Sequence, residues 1–238
     1  MTTAIIASFL GGVIPAVLWL EFWLREATHQ EPRRLIFGAF VMGMISVIIA
    51  GMLEQAVTLV LIEYTTLSFL LWALIEESLK LISAHTSGMR SRFCDESLDP
   101  TIYLITSALG FSAAENILFL FEPFSNGDIS RGIITLSARF VGATLLHIIA
   151  SGTIGICIGL VFFKKSHTKK IAIFIGIILA TLLHTAFNSF IILGGENVLW
   201  VIGSLWAGLF VVILILEKIK NIKRTDALRQ KGHILIKK

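Results

Sequence analysis

Apolar residues run along this chain in long blocks, and short polar stretches separate them. Seven blocks can be drawn: Ala4–Leu24, Leu35–Leu53, a third inside the long run Ala56–Ala84, Thr101–Phe121, Ile133–Phe163, Ile171–Leu193 and Val198–Leu216. A helix needs about 20 apolar residues to cross the roughly 30 Å hydrocarbon core of a bilayer. The pattern therefore predicts an all-α fold, a polytopic membrane bundle of about seven transmembrane helices. Residues 1–216 form one bundle in this reading, and 217–238 form a basic tail.

Composition agrees. Of 238 residues, 55% are apolar and 15% charged, with a mean hydropathy of +0.85, against roughly 25% charged in soluble domains. The net charge of +4 invites a nucleic-acid reading, but the placement of the basic residues explains it. Arg25, Arg33, Arg34, Arg90, Arg92, Lys164, Lys165, Lys169, Lys170 and eight lysines and arginines of the tail fall in alternate connections and at the C-terminus. Between the spans on the other side lies Arg131 alone. By the positive-inside rule the N-terminus is outside and the C-terminus cytoplasmic. The tail then reads as an anchor to anionic lipid, with the bilayer as partner and no nucleic acid.

The polar positions inside the spans are of another kind. Leu67–Ser83 reads LSFLLWALIEESLKLIS and would be an ordinary span but for Glu76, Glu77 and Lys80. Each charge at the centre of a membrane helix costs about 2.5–3.5 kcal/mol on insertion scales. Spacings of three and four put the three on one side of a helix, so that face must meet other helices. Those helices carry Glu115, Arg139, His147 and His184. Lys80 can offset one glutamate, and Arg139, near the outer end of its span, can snorkel. Excess acid with two imidazoles in a low-dielectric site is what a divalent metal requires. Each group also has a plain structural reading: an ion pair for Glu76 and Lys80, a buried acid for Glu115, a polar interhelical clamp for His184 with Asn188, and a structural histidine for His147 with Ser151 one turn on. All four being structural is harder to sustain.

Glu76-Glu77-Ser-Leu-Lys80, Phe111-Ser-Ala-Ala-Glu115-Asn116, His147 and His184-Thr-Ala-Phe-Asn188 fall in the order, and on the successive helices, of the PrsW-type intramembrane proteases. The chain resembles that family from about Leu67 to Phe190, which would make about 67–190 the catalytic core. The family sits with the type II CAAX prenyl proteases in a wider superfamily. The resemblance implies a membrane-embedded metalloendopeptidase, with zinc as the expected metal. Glu76, with Glu77, would be the general base acting on water. Glu115, His147 and His184 would hold the metal, with Lys80, Asn116, Asn188 and Arg139 in support. The substrate would be a membrane protein, such as an anti-sigma factor or another single-span regulator. Asp99 also fits the family, although Pro100 follows it where many members have glycine. A proton- or ion-coupled transporter using the Glu, Lys and His cluster as a relay is the competing reading; a protease-like scaffold that binds without cutting is the third.

Overall fold

The computed structural model describes residues 1–27, 29–62, 64–193 and 198–236, and among these it is helical with no strand. The helices are α1 (Thr2–Glu26), α2 (Arg33–Thr58), α3 (Thr66–Ala84), α4 (Asp99–Ser125), α5 (Ile129–Ala138), α6 (Thr144–Leu160), α7 (Ser166–Leu193) and α8 (Val198–Ile236). A π-helical turn, Arg139–Ala143, joins α5 to α6, so the two make one rod of 32 residues. Counted that way, six helices are long and apolar enough to cross a membrane. The seventh, α3, has 19 residues and carries Glu76, Glu77 and Lys80. The protein is a multi-pass membrane bundle. Large apolar side chains such as Phe9, Ile45, Phe174 and Phe210 are exposed on its outside, where lipid is the solvent.

The third apolar run is long because it holds two things. α2 continues to Thr58, past the expected end at Leu53, and α3 starts only at Thr66. A capping box starts α3: the Thr65 hydroxyl accepts from the Ser68 amide, and the Ser68 hydroxyl accepts from the Thr65 amide, which satisfies two donors that a helix start leaves open. At its other end α3 runs on past His85 in a second π-helical turn, His85–Met89. Gly88 lies inside this turn. Its role is close approach, since a Cβ there would fall on the ring of Tyr103.

The central helix is α4. Every residue from Asp99 to Ala113 is buried, and α4 packs against α1, α2 and α6. Small residues make this possible. α1 presents Ala4, Ser8, Gly12 and Ala16, one per turn and all buried, and a Cβ on Gly12 would meet the Ala113 carbonyl. α2 and α4 exchange glycines: Gly43 lies against the Ser107 carbonyl and Gly110 against that of Phe40. Without a hydrophobic drive between helices in lipid, such close backbone contact supplies the association energy.

Candidate active site

α3 delivers Glu76, Glu77 and Lys80 to the bundle interior, with Lys80 and Glu77 fully buried. The Lys80 Nζ lies 2.7 Å from Glu77 Oε1 and 3.2 Å from Glu76 Oε2, so the expected intrahelical pairing is present. It also lies 2.8 Å from Nδ1 of His147 on α6 and 4.5 Å from the centre of the Phe111 ring.

These contacts fix both imidazoles. Lys80 can only donate, so His147 Nδ1 is its acceptor and the proton of His147 sits on Nε2. That N–H donates to Glu115 Oε2 at 2.9 Å. Glu77 Oε1, an acceptor, faces His184 Nδ1 at 3.0 Å, so His184 carries a proton on Nδ1 and turns its Nε2 away from Glu77. That Nε2 lies 3.8 Å from Glu76 Oε2, and His147 Nδ1 lies 3.9 Å from the same oxygen. Each imidazole is thus oriented by a carboxylate at one nitrogen and turns the other toward Glu76. The second oxygen of Glu77 accepts from the Ser151 hydroxyl at 2.7 Å, a partner that sequence reasoning noted only as a neighbour of His147.

Arg139 does not snorkel. Its guanidinium is turned inward, 2.6 Å from Glu115 Oε2 and hydrogen-bonded through Nε to Asn116 Oδ1. It also stacks over the Phe119 ring at 4.0 Å, because an ion pair with Glu115 is available where the lipid face offers none. Asn116 donates to Thr144 at 3.2 Å. Asn188, one turn after His184, lines the adjoining cavity. The residues singled out in the sequence therefore lie around one centre.

That centre opens on a cavity of about 590 Å³ lined by Glu76, Glu115, His147 and His184. Glu54 of α2 also lines it, and sequence reasoning missed this residue. It falls one position past the expected end of its span and so counted as a surface charge. Trp72 of α3 and Tyr64, just before that helix, line the same cavity.

Donor atoms of Glu76, Glu77, His147 and His184 all lie within 4.8 Å of one another, and all four residues are buried. Two carboxylates and two imidazoles on three helices suit a divalent metal, so the residues present fit the metal that the sequence reading implies.

Residues 31–216 match the PrsW family intramembrane metalloprotease. The chain belongs to that family. It is therefore a hydrolase, a membrane-embedded metalloprotease. Protease PrsW of Clostridioides difficile (strain 630) is 26% identical over 188 residues, covering 76% of this chain and 77% of that protein. Protease PrsW of Shouchella clausii (strain KSM-K16) is 25% identical over 220 residues, covering 91% and 96%. That of Bacillus subtilis (strain 168) is 23% identical over 180 residues, covering 74% and 79%. No solved structure matches the chain. Membership decides against the carrier reading, in which the same charges would have relayed protons.

Proposed function

We propose that the chain hydrolyses a peptide bond within the membrane segment of a single-span protein, a regulator such as an anti-sigma factor, with Glu76, His147 and His184 at the reacting centre. The observation that carries this is the placement of one carboxylate oxygen, Glu76 Oε2, 3.8 and 3.9 Å from a nitrogen of each of two imidazoles, at the wall of a cavity of about 590 Å³. Glu76, His147 and His184 would hold the metal, and zinc is the ion that this mixed oxygen and nitrogen set suits. What a divalent metal supplies at such a site is polarisation of the scissile carbonyl and a lowered pKa for water.

The chain's own residues do the rest. The contacts of Glu76 to Lys80 and to both imidazoles run through Oε2, which leaves Oε1 to take a proton from the attacking water and return it to the leaving amine. Glu77 and Glu115 orient His184 and His147, as outer carboxylates do at histidine sites. Glu115, a candidate ligand from the sequence, is in this reading the residue that fixes His147. Lys80 offsets the acid of the α3 pair, and Asn188 is placed to donate to a developing oxyanion. The order of these elements also supports kinship with the type II CAAX prenyl proteases. The distribution of basic residues supports an outside N-terminus. At 1.5 Å per residue His184 then lies about 20 Å from the cytoplasmic edge taken at Ile171, which puts the scissile bond nearer the outer face.

The test is metal analysis of detergent-purified protein together with cleavage of a panel of single-span segments. Wild type should retain a stoichiometric divalent metal and cut at least one segment, and His184→Ala should lose both properties while staying folded. Wild-type levels of metal in Glu76→Ala and His184→Ala would overturn the assignment.

A further inference from the structure

Three carboxylates line the cavity: Glu54, Glu76 and Glu115. Glu76 has Lys80 at 3.2 Å and Glu115 has Arg139 at 2.6 Å. Among the described residues no lysine, arginine or histidine lies within ion-pair distance of Glu54, and its Oε1 is buried without a hydrogen-bond partner. A carboxylate oxygen left so, out of water, lacks what its neighbours have.

The same cavity wall carries an aromatic cluster. Tyr64, Phe69 and Trp72 line the same cavity and form a mutual cluster. Trp72 meets Tyr64 at 6.0 Å between ring centres and Phe69 at 5.6 Å, both edge to face, and Tyr64 meets Phe69 at 6.4 Å. Tyr64 adopts φ 59°, a conformation in which a bulky residue is a true outlier. Aromatic faces attract cations, and cages of them recognise ammonium groups. A lone carboxylate with an aromatic wall is a site for a positively charged group with N–H donors.

We propose that Glu54, Tyr64, Phe69 and Trp72 form a subsite that binds a lysine or arginine side chain of the substrate. This rests on the protease reading of the adjoining centre. Geometry gives the register. Trp72 precedes Glu76 by one turn of α3, about 6 Å along the axis. An extended peptide advances about 3.3 Å per residue, so the basic residue lies about two residues from the scissile bond. A lipid amine is the lesser candidate, because the subsite shares one cavity with Glu76 and a substrate drawn to Glu76 must pass along this wall.

The test uses the full chain in phosphatidylglycerol vesicles and a single-span segment that wild type cuts, with one lysine, or norleucine as its uncharged counterpart, walked across the scissile bond. Wild type should prefer lysine over norleucine by roughly 10–100-fold in kcat/KM at one register about two residues from the cut. Glu54→Gln should bring that ratio near one, and Tyr64→Leu, at a half-exposed position, should lower it. A lysine segment cut no faster than its norleucine counterpart would overturn the proposal. So would a ratio that survives Glu54→Gln, a loss of bound metal in Glu54→Gln, or a preference that vanishes once phosphatidylethanolamine is added. If wild type cuts no segment at all, the protease reading of the centre fails, and this subsite fails with it.

Discussion

Arg139 and His147 converge on one atom. Glu115 Oε2 accepts from the His147 Nε2 proton at 2.9 Å and forms an ion pair with the Arg139 guanidinium at 2.6 Å. Arg139 therefore acts on the imidazole through the carboxylate. Arg139→Gln should leave the protein folded and lower kcat/KM by about 10–100-fold, the usual effect of losing an outer partner of a histidine ligand. Arg139→Lys should recover part of it. Kinetics on a cleaved segment, with a melting curve as control, would check this.

The Glu77–Lys80 pair is fully buried and also holds His184. Glu77→Leu would leave the buried Lys80 ammonium with Glu76, at 3.2 Å, as its one remaining carboxylate partner and would release His184, at a cost of up to about 3–5 kcal/mol. Replacing both partners, Glu77→Leu with Lys80→Met, should cost less than the single change. Unfolding in mixed detergent would rank the variants, and a double variant less stable than the single one would contradict the pairing.

Cys94 lies outside the spans, between α3 and α4. Burial, with Asp99, Glu31 and Asp95 nearby, pushes its thiol up to about 12 from an ordinary 9.0. The folded state favours the neutral thiol, so this contribution to stability is intact below about pH 9 and lost as pH rises toward 12. Maleimide labelling of folded protein at pH 8 should be slow at Cys94 and should become fast after unfolding in dodecyl sulfate, with Cys157→Ser as background.

Topology follows from the loop charges. The turn around Gly127, between α4 and α5, and the turn around Lys165, between α6 and α7, lie at opposite ends of one 32-residue rod. Reporters inserted at these two points should respond from opposite sides, with Lys165 cytoplasmic. Signals from the same side would sink the seven-span arrangement.

Much of this was legible because charge inside lipid is expensive. Glu76, Glu77, Lys80, Glu115, Arg139, His147 and His184 stand out against apolar runs, and the structure brings them to one place. Helix contacts were less legible. The spacing of four in Ala4, Ser8, Gly12 and Ala16 marks the face that α1 turns to α4, yet small residues disappear in a hydropathy profile. The central position of α4 is written in glycines of its neighbours as much as in its own residues. Glu54 escaped because span edges read from hydropathy err by a few residues, and it sits at such an edge. The direction of Arg139 depended on a partner from another helix.

The π-helical turn Arg139–Ala143 corrects an angular mismatch. Arg139 and His147 are eight residues apart, which in a regular α-helix sets their directions about 80° apart. A turn that takes up one extra residue brings the difference down to about 20°, and both side chains can then address the same carboxylate. Straightening that turn into regular α-helix at unchanged length would keep every charged group but return Arg139 to about 80° from His147 and swing it away from Glu115. The rod's phase, independent of its composition, is thus part of what assembles the buried Arg, Glu and His cluster.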